Sequence, residues 1–258
     1  MGNLQANPAV TGGVEFPTRS RGYSMAVAGL LAVTPCIGAA QGGAPRLVNR
    51  DVSAVAEAGR SVLRFAEGPQ PGLYWFPAIP LNEGVIEFDA RGRDVQQRSF
   101  IGVAFRALDD STYDAVYLRP FNFRATDSTR RAHAVQYMSM PRFDWPLLRS
   151  ERPGVFEAPI EPAPDPAAWV HVRVEVSGRE VLVFVDGAVK PALRAHELSE
   201  RSGGGIGLWV GVCSDGDFAN FRVTPRGGST RTIPLSGNAT RVSAAVTADA
   251  ACRGLKPS

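Results

Sequence analysis

Two groups of side chains in this sequence have the types and spacing to do chemistry. Tyr117 and Arg119 stand two residues apart and so share one face of an extended strand, and His133 and Tyr137 share a face of the next. If those strands are sheet neighbours, the four make a polar, aromatic patch. Such a patch suits a sugar, because an aromatic ring stacks on the C–H face while Arg, His, Asn or Gln hydrogen-bond the hydroxyls. The plainer use of the same residues is an ordinary solvent-side strand face, with Arg119 pairing Glu87 or Asp89. The second group lies in residues 139–168, rich in proline and carrying Asp144, Trp145, Arg149 and Glu157. Trp145 is a stacking platform or an edge plug, and Arg149 a hydroxyl-binding partner. For proton transfer the candidates are Asp114, His133 and Glu157, His133 because an imidazole titrates near neutral pH. By alternation Gln136 points away from His133, so the two share a cleft only across a bulge.

The elements that position these residues read as strands. Val85–Ala90 alternates Ile86, Phe88 and Ala90 against Val85, Glu87 and Asp89, which is period two. Phe100–Arg106, Ala115–Arg119 and Ala132–Met138 follow as strands. Val170–Val176 puts four valines on one face and turns at Ser177-Gly178 into Val181–Val185, which Asp186-Gly187 closes. Gly205–Gly211, holding Trp209 among glycines, and Phe218–Val223 complete the set. No amphipathic helix is expected between them, so the fold class is an all-β, antiparallel β-sandwich or barrel. Residues 139–168 are expected to be a long irregular loop over the sheets, because proline cannot donate into a ladder.

The 258 residues carry a formal charge of +3, unevenly placed. Residues 222–258 hold six Arg or Lys against Asp249, and residues 1–40 hold Arg19 and Arg21 against Glu15, which leaves about −3 on residues 41–221. A folded body without a clustered basic face excludes nucleic acid as the partner. Arg19 and Arg21 precede an apolar run from Met25 that ends in Gly-Ala-Ala40, the order of a secretory signal peptide. The expected organisation is a leader and signal peptide over 1–40, a sandwich over 41–224 and a C-terminal tail over 225–258. The location is then secreted or periplasmic, with no stable membrane span after signal removal. Met25 is an alternative start, and Cys36 an alternative lipoprotein anchor that Pro35 disfavours. Cys213 and Cys252 then remain, and in an oxidising compartment two cysteines read as one disulfide tying the tail to the body.

The runs Gly84–Gly92, Phe100–Phe105, Tyr113–Asn122, His133–Tyr137, Trp169–Val174, Val183–Gly187, Gly205–Gly211 and Gly216–Asn220 resemble bacterial concanavalin A-like lectin/glucanase domains, a superfamily that includes laminin-G-like and 3-keto-disaccharide hydrolase-like members. The resemblance spans residues 47–224. It implies a jelly-roll β-sandwich with a glycan or oligosaccharide on its concave face. It equally implies a glycoside hydrolase or lyase, or a non-catalytic adhesive module, because this fold hosts all of them. One glucanase branch of the superfamily begins its motif Glu-x-Asp, as Glu87-Phe-Asp89 does. That mechanism needs a second carboxylate about 5–5.5 Å from the first, and Arg91 and Gly92 stand where the second Glu belongs. No cofactor is expected except a structural calcium, which such sandwiches hold near turns like Ser214–Asp217, with Asp215 and Asp217 as its oxygen ligands.

Overall fold

The structure, a computed structural model, describes residues 43–77, 79–241 and Cys252. The leader, its cleavage point after Ala40, and Cys36 lie outside the described residues. Along the chain run β1 (Arg46–Val48), β2 (Val52–Glu57), β3 (Arg60–Phe65), β4 (Gly72–Trp75), β5 (Gly84–Arg91), β6 (Ile101–Ala107), β7 (Asp114–Leu118), α1 (Ser128–Arg131), β8 (Val135–Ser139), α2 (Trp145–Glu151) and β9 (Glu157–Ala158). Then follow β10 (Val170–Ser177), β11 (Glu180–Val185), β12 (Leu193–His196), β13 (Gly205–Val210), β14 (Gly216–Pro225), β15 (Arg231–Thr232) and β16 (Thr240–Arg241).

They form two sheets. One is eight-stranded, in the order β16-β1-β4-β13-β6-β7-β8-β9; the other runs β12-β11-β10-β5-β14-β3-β2, with β15 added beside β14. All neighbours are antiparallel except the short β1/β16 pair. This is the all-β two-sheet sandwich that the strand pattern and the resemblance lead one to expect.

The inner faces hold the core. In β5, Ile86, Phe88 and Ala90 are fully buried, and in β10 the four valines are too, as the period of two requires. Phe76, next to β4, stacks on Phe221 of β14 with ring centroids 4.3 Å apart and so joins one sheet to the other, while Phe65 meets Phe218 of the neighbouring strand edge-on at 5.2 Å. Asn220, at φ 53°, absorbs an extra residue where the β14/β5 register shifts between Ala219 and Arg222.

Two expectations change and a third holds. The strand placed at 132–138 begins at Val135, because Asp127 caps the one-turn α1 and His133 falls in the turn after it. The proline-rich stretch is not wholly irregular: Asp144 caps α2, with its side chain accepting from Leu147 N, Pro146 sits in the first turn, and Leu148 is buried. The expected Cys213–Cys252 disulfide forms, and together with β15 and β16 it ties the tail beyond 224 to the body.

Candidate binding pocket on the eight-stranded sheet

Register decides which side chains meet. Across the eight-stranded sheet one row reads Trp209, Gly102, Tyr117, Gln136, Glu157, and the adjacent row reads Tyr74, Leu208, Val103, Val116, Tyr137. Tyr74 packs on Phe76, which touches the other sheet, so the Tyr74 row is the inner one and the Tyr117 row faces outward. Tyr137, expected beside Tyr117, therefore points into the sandwich, where its hydroxyl accepts from Leu198 N at 3.2 Å. Its place in the outer row is taken by Gln136.

Gly102 lets the outer row close up. A Cβ there would come within 2.1 Å of Val116 O, and in its absence the rings of Tyr117 and Trp209 lie 4.9 Å apart. Trp209 Nε1 in turn donates to Tyr113 Oη at 3.2 Å, and the ring is buried against Tyr117, so it packs the outer face rather than serving as a ligand platform.

Arg119 forms the floor of the site and is 4% exposed. It donates from Nη2 to Gln136 Oε1 at 2.6 Å and to Tyr117 Oη at 2.8 Å, and from Nη1 to His133 O at 2.9 Å. Its guanidinium lies over the rings of Tyr117 and Phe100. Burial lowers the Arg119 pKa below its ordinary value and raises that of Tyr117. The Glu87 and Asp89 pairing considered for Arg119 does not form, because those carboxylates belong to the other sheet. There they sit in a charge ladder: His171 Nδ1 lies 2.8 Å from Asp89, and Arg222 reaches Glu87 at 3.4 Å. The Glu-x-Asp strand thus has histidine and arginine as its neighbours and no second carboxylate in the glucanase position.

Glu157 comes next to Gln136 through the β8/β9 pairing. Its carboxylate is almost fully buried and receives a bidentate pair from Arg149, Nε to Oε1 at 3.0 Å and Nη2 to Oε2 at 2.7 Å. Arg119 Nη1 approaches the same Oε2 at 3.8 Å. His133 Nδ1 stands 2.8 Å from Oε1 but off the line of a good hydrogen bond. Burial lowers the His133 pKa, against the pull of Glu157. The bulge once required to bring His133 and Gln136 together is unnecessary, since His133 precedes the strand and alternation does not bind it.

Above this floor is an open pocket of about 280 Å³, with Phe100, Phe121, Asn122, Arg130 and Trp145 in its wall. Trp145 is 44% exposed and carries the Arg149 guanidinium 4.9 Å from its ring centroid, an i, i+4 contact that α2 supplies. The structure thus brings together Tyr117, Arg119, His133, Trp145, Arg149 and Glu157 from the expected set. Sequence reading missed Phe100, Phe121 and Arg130. Phe100 extends the outward parity of β6, so it was findable once the neighbouring strand was known; Arg130 was not, because α1 was not foreseen.

Asp114 stands apart. It lies on the inner face of β7, with no exposure, and is held by Arg201 and Ser199. Asp215 and Asp217 are also engaged: Arg93 Nε donates to Asp215 at 2.7 Å, and Arg64 and Arg91 bind Asp217 at 2.8 and 2.5 Å. A calcium ion would have to displace three guanidiniums, so these residues do not suit one. Glu67 lies beside Cys213 and Cys252, but the two sulfurs are joined to each other and offer no thiolate. No helix among the described residues is long and apolar enough to cross a membrane.

Fold and pocket together define an antiparallel β-sandwich with a polar, aromatic pocket on an outer sheet face. No protein-family model matches the chain. Among solved structures it is similar to the carbohydrate-binding module CBM66 of Bacillus subtilis (15% identity, TM-score 0.49, 70% of this chain and 95% of that one). It is also similar to a Bacillus subtilis protein of unknown function with a galectin-like fold (15%, 0.47, 73% and 90%). A third likeness is to the exoplasmic/lumenal domain of VIP36 in its Ca²⁺/Man3GlcNAc-bound form (11%, 0.46, 72% and 84%). At this level the likenesses say nothing of what this chain binds.

Proposed function

We propose that this chain is a secreted or periplasmic carbohydrate-binding protein that takes a glycan into the pocket over Arg119 and Trp145. The observation that carries the reading is the half-exposed Trp145 ring standing beside Arg119, Asn122, Arg149 and His133 in one open pocket. An aromatic platform next to convergent hydrogen-bonding groups is what a hydroxyl-rich ring requires. The disulfide accords with an oxidising compartment. Of the proposed acids and bases, only Glu157 and His133 touch, and Glu157 is already bound by Arg149; this favours binding over hydrolysis.

A glycan array together with a reducing-sugar release assay on the exported protein tests the reading. Binding without turnover is expected. Turnover would transfer the pocket to a saccharide-cleaving enzyme, and an empty array would remove the glycan reading altogether.

A further inference from the structure

On the buried floor of the pocket the charges do not balance; Asp144, whose carboxylate also acts on Tyr117, is taken up in capping α2 at Leu147 N. Glu157 is the carboxylate of the floor, and two guanidiniums share it: Arg149 bidentately at 3.0 and 2.7 Å, and Arg119 at 3.8 Å. Arg119 is otherwise satisfied by neutral acceptors, namely Gln136, Tyr117 and the His133 carbonyl. In the wall, Arg130 donates to Asn122 Oδ1 at 3.3 Å and to Phe121 O at 3.0 Å, and among the described residues it has no carboxylate partner. Asp127, the acid of the rim, is exposed, and its side chain accepts from Thr129 N at the start of α1. Water screens that rim charge, whereas the excess positive charge on the floor sits where the dielectric is low and its field is strong. A buried cation without its own counter-ion is costly, and a ligand that brings a negative group removes that cost.

We propose that the pocket selects an acidic sugar, a glycan whose ring carries a carboxylate or a sulfate, with the anionic group placed between Arg119, Arg130 and Arg149 and the ring against Trp145. This rests on the glycan reading above and adds the class of sugar. Guanidinium forks bind both anions in a bidentate way that ammonium groups do not, and residues 41–258 contain only Lys190 and Lys256 as lysines. The selectivity is electrostatic, so it must weaken as salt rises.

The test is isothermal titration of the full chain with galacturonate oligomers, sulfated galactose oligomers and unmodified galactose oligomers of equal length, at low and high salt. At least one acidic series is expected to bind tenfold or more tightly than the neutral series at low salt, with the gap closing at high salt. Arg130→Gln is expected to bring the acidic affinity down towards the neutral one, with its melting temperature as the check on folding. Equal or tighter binding of the neutral series overturns the inference while leaving the glycan reading in place. Failure of all three, together with an empty array, overturns both.

Discussion

Arg201 donates from Nη2 to Asp114 Oδ1 over 2.6 Å, joining positions 87 residues apart and pinning the segment before β13 to the inner face of β7. The Ser199 hydroxyl lies 3.0 Å from both Asp114 Oδ2 and Glu197 Oε1. A hydroxyl has one proton to give, so the second contact is favourable when one of the two carboxyls is itself protonated. Burial raises the Asp114 pKa, and Glu197 adds to it, against Arg201 and the hydroxyls of Ser139 and Ser199. Arg106, which ion-pairs Glu197, and Tyr137 complete the set of groups facing this cluster. For a raised pKa the stabilisation is full below the ordinary carboxylate value and is lost as pH rises through the raised one. Thermal melts of the wild type and Asp114→Asn across acid to neutral pH should therefore show the wild-type advantage shrinking as pH rises. A difference that stays constant with pH would contradict the shared proton.

Asp217 behaves in the opposite sense. Burial alone would raise its pKa, but hydrogen bonds from Arg64 and Arg91 outweigh that and hold it below the ordinary value. Its stabilisation is present above the ordinary value and disappears as pH falls through the lowered one. Asp217→Asn should flatten the acid limb of the stability profile, as followed by circular dichroism during acid titration. Arg91→Ala also removes contacts to Glu57 and to the Trp169 ring, and a cost of about 1–3 kcal/mol in urea unfolding is expected.

The Cys213–Cys252 bridge closes a separation of 39 residues. Loop-closure entropy assigns such a link about 4 kcal/mol. Reduction, or Cys252→Ser, should lower the urea midpoint accordingly; an unchanged midpoint would mean that the tail is held without the bridge.

Gly102→Ala places a methyl against two backbone positions, Val116 O at 2.1 Å and Tyr117 Cα at 2.6 Å, neither of which can swing aside. A loss of about 3 kcal/mol is expected, and because Tyr117 supports Arg119, glycan affinity should fall as well.

Trp145→Ala should weaken glycan binding by about 1–1.5 kcal/mol, roughly tenfold, if stacking is its role. Its exposure predicts a melting temperature near that of the wild type. Unaltered affinity in titration would exclude it as the platform.

How far the sequence could be read depends on the range of the forces involved. The β5 strand and the β10/β11 hairpin were plain because alternation and turn residues act locally, and the shared face of Tyr117 on β7 and Arg119 just past its end followed from the same rule. Tyr137 was misplaced because its facing is set by the β7/β8 register, which pairs Tyr117 with Gln136 and Val116 with Tyr137, and alternation within one strand does not report its register against the next. His133 escaped that alternation through a one-turn helix whose only signal is Asp127 ahead of Thr129. The meeting of Glu157 with Arg149 and Arg119 was beyond reach: it requires that β9, two residues long, dock beside β8, which no periodicity reports. Strands β1 to β4 likewise went unmarked, since in β4 all four residues are buried and nothing alternates.

The shortness of β16 and β9 has a consequence for behaviour at high concentration. They are the two outermost strands of the eight-stranded sheet, and each is only two residues long. A long bare edge is a template on which a second chain can add a strand, and very short edges leave little to template. Thr240–Arg241 covers β1 on one side, so the tail acts as a guard against self-association. A chain ended before Thr240 would present β1 uncovered, and light scattering during refolding should register the change.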